Sequence, residues 1–437
     1  MVKSHAEESL GANPGDAALN PADSVAMGVP ASRAPHTVEP LRAGLFSALR
    51  HRDYKLLFAS FVVNQTGFWL AHISLQALMV DLSDGDPLQV GLLTFALLSP
   101  ALLLAPIAGA VADRLDRKTI VLTCYVVVTL VSTALGALSS AGAMTPLLLL
   151  SLAFAMGTTF SFAGPATMAI AANAVHQGDL SSAVALQSAM NNLTRVVGPL
   201  LAAPLVAAGR YAIGFAVFAV ASALAGVLVS RMRVSNETTA EDDASGIFER
   251  IRGGFMHARE RRPALAAIVT AGCLSLFGIG HIAMLPVFAA DVLGDEGLFP
   301  WLVSTTALGA MLGALATGRD PRPNLARASV RLACYGVAFA LFATSSVPWL
   351  AFVTQFFVGY FYFAVMTGLQ TLIQQLVDDS NRGRVMSLFQ VAWGGLTPVG
   401  SLAMGALAGW IGIAPTLQLA ALGCVGAGLV MRFHARR

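Results

Sequence analysis

Twelve apolar stretches, each near the roughly 20 residues a helix needs to cross a bilayer core, divide the chain and leave little else to fold. They run near 56–80, 88–111, 119–140, 144–168, 181–208, 211–231, 264–290, 298–317, 328–346, 348–374, 386–411 and 413–433. Only 12% of the residues are charged and 56% are hydrophobic, against about 25% charged in soluble domains. The expected fold is therefore an all-α membrane protein of twelve transmembrane helices. An even number of crossings places both termini on one side.

The cations set the orientation, because Lys and Arg near helix ends stay in the cytoplasm. Of the 27 Lys and Arg residues, all but Arg195 and Arg210 sit in the tails or in and beside the loops joining helices 2–3, 6–7, 8–9 and 10–11. Asp81, Asp84, Asp86, Asp291, Asp295 and Glu296 fall in the opposite loops. Cytoplasmic termini and a multi-pass location in the cell's inner membrane follow. The net charge of +3 reflects this topology and implies no nucleic-acid partner.

Residues 1–40 are polar and lack the apolar core of a signal peptide, so they are expected to form a disordered cytoplasmic tail. From Leu41 to Tyr54, Leu41, Leu45, Phe46 and Leu49 share one helical face, which predicts an interfacial helix leading into the membrane. Residues 234–262 are the one long internal polar stretch and are expected to link an N-terminal bundle, 41–233, to a C-terminal bundle, 263–437. The cysteines, Cys124, Cys273, Cys334 and Cys424, fall singly in apolar helices without metal or disulfide spacing. No cofactor or metal is expected, and no GxxxxGK[ST] phosphate loop is present to couple ATP.

An internal repeat supports two pseudo-symmetric six-helix bundles. At an offset of 202 residues Phe154 matches Phe356, Gly157 Gly359, Val175 Val377, Leu186 Leu388 and Gly198 Gly400. HISLQALMVD from His72 echoes HIAMLPVFAAD from His281 at a slightly different offset.

Between helices two and three, residues 109–118 read GAVADRLDRK. Gly109, Asp113, Arg114, Arg117 and Lys118 match the loop motif of the major facilitator superfamily, which this hairpin resembles, with Asp116 where a second Gly is usual. The resemblance implies a latch on the cytoplasmic side, formed when a transporter opens outward. In the second half GALATGRDPR places Thr317 opposite Asp113, so the latch is expected on one side only. NNLTRVVGPLLAAP at 191–204 is similar to a helix-five motif of efflux members in Gly198 and Pro199, with Ala202 and Ala203 replacing its paired glycines. Residues 377–412, with Arg382, Gly383, Arg384, Val385, Ser387, Gly400, Ser401, Gly405 and Gly409, resemble the bacterial branch containing the enterobactin exporter and macrolide-efflux-type proteins. That resemblance, which spans nearly all of the chain after Leu41, implies an alternating-access exporter of a siderophore or drug-like molecule.

Gln65, Trp69, His72 and Gln76 recur at helical spacing and predict a polar stripe along helix one. Gln187, Asn191, Asn192, Gln355, Gln370, Gln390 and Trp393 add polar or aromatic groups on helices expected around the same cavity, although amides also serve as interhelical glue. Arg195 lies near mid-depth with no Asp or Glu at that level. Its partner is to be sought among polar side chains, carbonyls, water or an anionic group on the substrate.

Asp81, Asp291, His72 and His281 are the titratable candidates for proton coupling. Asp81 and Asp291 read equally as loop-edge charges and the histidines as packed groups. The Arg that the superfamily commonly carries in helix four is absent around Met156–Thr159. The expected partners are a small-molecule substrate, the bilayer and protons, with the protein a monomer. An importer or lipid flippase of the same fold is the alternative. A membrane sensor or enzyme would need a nucleophile–base cluster that the sequence lacks.

Overall fold

A computed structural model describes residues 44, 46–104, 107–109, 111, 115–233, 255–256, 259, 261–318, 320 and 323–436. The expected tail 1–40 and nearly all of the linker 234–262 lie outside them, as do Asp113 and Arg114. Twelve long helices follow in chain order: α1 Arg52–Leu82, α2 Pro87–Leu103, α3 Arg117–Ser140, α4 Pro146–Asn173, α5 Leu180–Ala207, α6 Tyr211–Ser230, α7 Arg262–Asp291, α8 Phe299–Gly318, α9 Leu325–Ala343, α10 Pro348–Leu376, α11 Asp379–Ile411 and α12 Ile413–Arg436. Among the described residues, ten are long and apolar enough to cross a membrane; α2 is apolar but shorter as described. In α5, Gln187, Ser188, Asn191, Asn192, Thr194 and Arg195 keep the middle polar, and composition alone does not mark it as a span.

Local chemistry sets the helix starts. Asp86 caps α2 by accepting from Leu88 N at 2.9 Å, with Pro87 in the first turn. Asp116, the departure from the hairpin motif, caps α3 by accepting from Lys118 N and Thr119 N. Thr145 and Pro146 open α4, and Asn324 caps α9 through Arg327 N. Two helices of the second half are interrupted by π-helical turns, Leu274–Ile279 in α7 and Val391–Gly395 in α11.

In the first half α1 packs on α5 and α6, and α4 on α2 and α3; in the second, α10 packs on α8 and α9, and α9 on α12. The halves meet along α2 with α11 and α5 with α8. Contacts between them include Gly91 against Ser401 and Gly405, Ser304 Oγ donating to the Val196 carbonyl, and Ala207 beside Gly297. These lie toward the end opposite the 109–118 hairpin, called here the far end.

The lead-in to α1 differs from the expected interfacial helix. It is a 3-10 turn, Ser47–Arg50, separated from α1 by extended backbone at His51. Leu41 and Leu45 of the expected face lie outside the described residues; the turn is held by Ala48 and Leu49 packing on an apolar cluster, by Ala48 N donating to Ser182 Oγ, and by His51 Nε2 donating to Asp179 Oδ2 at 2.8 Å. Ser47 and Ala48 are buried, whereas Phe46 is 64% exposed. The His51 hydrogen bond, first among the causes, holds the Asp179 carboxyl below its usual range.

Candidate functional site: the central cavity

Between the halves at mid-depth lies a cavity of about 850 Å³. Its walls are mostly apolar, with Phe68, Ile73, Leu97, Phe160, Ile279, Val303, Val358 and Phe363 among them. Of the expected polar groups, Gln65, Trp69, His72, Gln76, Asn191, Arg195, Gln390 and Trp393 line it; Gln187, Asn192 and Gln370 do not. Asn192 Nδ2 instead donates to the Ser188 carbonyl on its own helix. Among the described residues, Arg195 is the one charged side chain on the wall.

The repeat organises this wall. At the 202-residue offset Phe160 corresponds to Tyr362, Asn191 to Trp393 and Arg195 to Thr397, and every one of these lines the cavity, as do His72 and His281. Tyr362 and Phe363 were not picked out by their sequence pattern. Phe160 and its repeat partner were the signal that would have found Tyr362.

Although the positions correspond, their hydrogen bonding does not. His281 is buried: its Nδ1–H donates to the Gly278 carbonyl, and its Nε2 accepts from Gln355 Nε2 at 3.0 Å. Gln355 Nε2 also donates to Thr306 Oγ1, and Trp393 Nε1 donates to Tyr362 Oη, each at 2.7 Å. In the first half Gln65 Nε2 donates to Asn191 Oδ1, and Gln76 Nε2 donates to His72 Nε2 at 3.1 Å. This leaves Trp69 Nε1, His72 Nδ1, Arg195 Nε and Gln76 Oε1 buried without hydrogen-bond partners. With its Nε2 accepting, His72 carries its proton on Nδ1, so three of these four are N–H donors.

Arg195 is held by rings instead of a carboxylate. Its Cζ lies 5.6 Å from the centre of Trp69 on α1 and 5.5 Å from that of Phe363 on α10. An Arg at the centre of a membrane helix costs about 2.5–3.5 kcal/mol to insert. Two desolvated cation–π contacts return roughly 1–2 kcal/mol each, so the side chain can remain at mid-depth without a fixed counter-ion. Gly198 makes the arrangement possible, since a Cβ there would fall 2.3 Å from Trp69 Cβ. Pro199 follows it inside α5.

At the hairpin end, Lys118 Nζ donates to the carbonyls of Ser230 and Met232 and so closes the C-terminus of α6. Arg117 is half-buried, and a Cβ on Gly109 would meet open space. In the second-half hairpin the residue aligned with Asp116 is Asp320, which binds Arg327 at 2.6 Å and Arg331 at 3.3 Å. Its signal was present in the aligned segments but was overshadowed by the Asp113–Thr317 contrast. At the far end Asp81 Oδ2 accepts from Tyr211 Oη at 2.5 Å and lies beside Glu296, and Asp291 faces Gly85. No group of three or more His, Cys, Asp or Glu suited to a metal ion occurs among the described residues.

Comparison with solved structures shows the fold. A POT family transporter bound to 5-aminolevulinic acid superposes with a TM-score of 0.71 at 12% identity, covering 90% of this chain and 98% of that one. A bacterial homologue of the human lysosomal transporter Spinster, in an inward-facing and unoccupied conformation, gives 0.66 at 16% identity over 88% and 96%. The uncharacterized MFS-type transporter YfiS of Bacillus subtilis (strain 168) is 25% identical over 84% of this chain and 89% of its own. The staphyloferrin A transporter of Staphylococcus aureus (strain NCTC 8325 / PS 47) is 22% identical over 88% and 96%. The family model described as transmembrane secretion effector matches residues 43–436, and the chain therefore belongs to this family of MFS-type membrane transporters rather than to any family of enzymes.

Proposed function

We propose that the protein exports a small amphipathic molecule, a siderophore or drug-like compound, by alternating access of the central cavity. The observation that carries this reading is the cavity itself: about 850 Å³ of mainly apolar space at the seam of two repeat-related bundles. The bundles are taken as residues 41–233 and 263–437, joined by the linker 234–262, in a protein that acts as a monomer. Both termini and the 109–118 hairpin face the cytoplasm in this reading, which the distribution of Lys and Arg supports. The inter-half contacts toward the far end then close the cavity to the outside and leave the cytoplasmic side as its entrance.

Gly109, Asp113, Arg114, Arg117 and Lys118 form the latch that closes this entrance when the cavity turns outward. The enterobactin-exporter branch remains the preferred placing within the superfamily because of the pattern at residues 382–409. Protons are the coupling ion in this reading. Of Asp81, Asp291, His72 and His281, His72 is favoured, since it lines the cavity and its Nε2, the nitrogen that would take up a proton, is engaged only by the Gln76 amide.

The test is a deletion strain, scored for retention of a secreted metabolite or for gained drug sensitivity. Wild type should restore export and Asp113→Asn should not. Uptake into inside-out vesicles should respond to an imposed proton gradient, and His72→Gln should remove that response. Accumulation that occurs only in right-side-out vesicles would make the protein an importer instead.

A further inference from the structure

The wall chemistry of the cavity points to the charge of its ligand. Arg195 brings a full positive charge to mid-depth, and no lining residue among those described carries a negative one. Its Nε–H has no partner, nor do the N–H groups of Trp69 and His72. The rings of Trp69 and Phe363 support the cation but offer no hydrogen-bond acceptor. Among the buried unpartnered atoms of these lining residues, Gln76 Oε1 is the one acceptor.

Isolated donors beside an uncompensated cation in a low-dielectric space match a ligand that supplies acceptor oxygens and negative charge together. Most of the remaining wall is apolar and includes the rings of Phe68, Phe160 and Phe363, so the rest of the ligand is an apolar body with aromatic surface to stack.

We propose that the cavity takes an amphipathic anion, a carboxylate or comparable acidic oxygen group on an apolar body with aromatic surface. Arg195 is its anchor, with the Trp69 and Phe363 rings supporting the guanidinium. This assignment rests on the central cavity being the transport site. It excludes cationic amphipaths as preferred ligands, because bringing a second positive charge beside Arg195 in this space is unfavourable. The anchor belongs to the first half alone, since its repeat counterpart is Thr397, whose hydroxyl donates to the Trp393 carbonyl. The Phe363 ring against the guanidinium comes from the second half. An anion that draws Arg195 toward itself thus acts on a contact that joins the two halves.

The experiment uses three probes with one apolar body: 2-naphthoate, 2-naphthamide and 2-naphthylmethylammonium, titrated into the full chain in nanodiscs. Wild type is expected to bind the carboxylate at least about tenfold more tightly than either of the others. Arg195→Lys should keep that order. Arg195→Gln should abolish the preference while leaving the amide within about twofold, which also reports that the variant is folded. Trp69→Phe, which keeps a ring beside Arg195, should keep the preference for the carboxylate.

Ala101→Trp, which fills the cavity from its wall, should remove binding of all three. Equal binding of the three by wild type, tighter binding of the ammonium, or a carboxylate preference that survives in Arg195→Gln overturns the anion assignment. If Ala101→Trp still eliminates binding in those cases, the cavity stands as the site. Binding of all three that survives Ala101→Trp overturns the cavity reading itself.

Discussion

The two halves of this transporter present corresponding positions to one cavity and use them differently. In the second half, His281, Gln355, Thr306, Trp393 and Tyr362 bond to one another or to their own backbone, and the atom this set leaves unpartnered is an acceptor, Gln355 Oε1. In the first, Trp69, His72 and Arg195 keep N–H groups unpartnered. Repetition supplies the shape of the cavity, while the unpartnered N–H groups lie where the repetition is broken. The same contrast recurs at the hairpin end. The lead-in to α1 is tied by His51 to Asp179, and the lead-in to α7 by Arg261 to Asp378, each at 2.8 Å. One tie uses an imidazole and the other a guanidinium.

The largest expected effect tests whether packing, unlike polarity, is shared. Gly198→Leu should cost about 3 kcal/mol and eliminate transport, because its Cβ would strike Trp69. Gly400→Leu should cost a similar amount, since its Cβ would fall 2.5 Å from the Leu276 carbonyl oxygen. Apparent Tm in detergent measures both, and a large inequality would break the symmetry at the level of the scaffold. Next come the histidines: His281→Ala should lose about 2–3 kcal/mol, and His72→Ala about 1 or less, because only His281 has both nitrogens engaged. Equal losses would place His72 in the scaffold as well.

Smaller again, Trp393→Phe should cost about 1 kcal/mol by stranding the Tyr362 hydroxyl, whereas Trp69→Phe should change stability by less than roughly 0.5. The smallest effect is at the lead-in. The Asp179 carboxyl is held below its usual range when docked, so the stabilising tie is complete above its unfolded pKa and is lost as pH falls through the lowered value. Hydrogen-exchange protection factors of residues 47–50, which remove the intrinsic pH dependence of exchange, should therefore fall at acidic pH, and Asp179→Asn should show low protection throughout.

The helices were legible because membrane insertion imposes length and apolarity on every segment, and observed starts such as Pro146, Tyr211 and Pro348 fall within a few residues of those expected. Polar groups such as Gln65, Trp69 and Arg195 were legible by spacing and depth. What could not be read was which of them are already satisfied. His72 and His281 look alike in sequence, and their difference comes from Gln355 and the Gly278 carbonyl, supplied by folding. The lead-in to α1 escaped periodicity because polar bonds to Ser182 and Asp179 help to set its path. Phe363 escaped because its role depends on a cation in the other half.

The π turn at Leu274–Ile279 gives His281 a mechanical meaning. Where a helix widens by one residue, its regular ladder of backbone bonds is interrupted, and deep in a membrane no solvent repairs the gap. His281 follows immediately and clasps the Gly278 carbonyl inside that turn, while Gln355 fixes the other edge of the ring to α10. The imidazole works as a splint, so that a bend needed to shape the cavity becomes a stiff joint. A residue placed where chemistry would favour a proton carrier is thereby committed to holding its helix together.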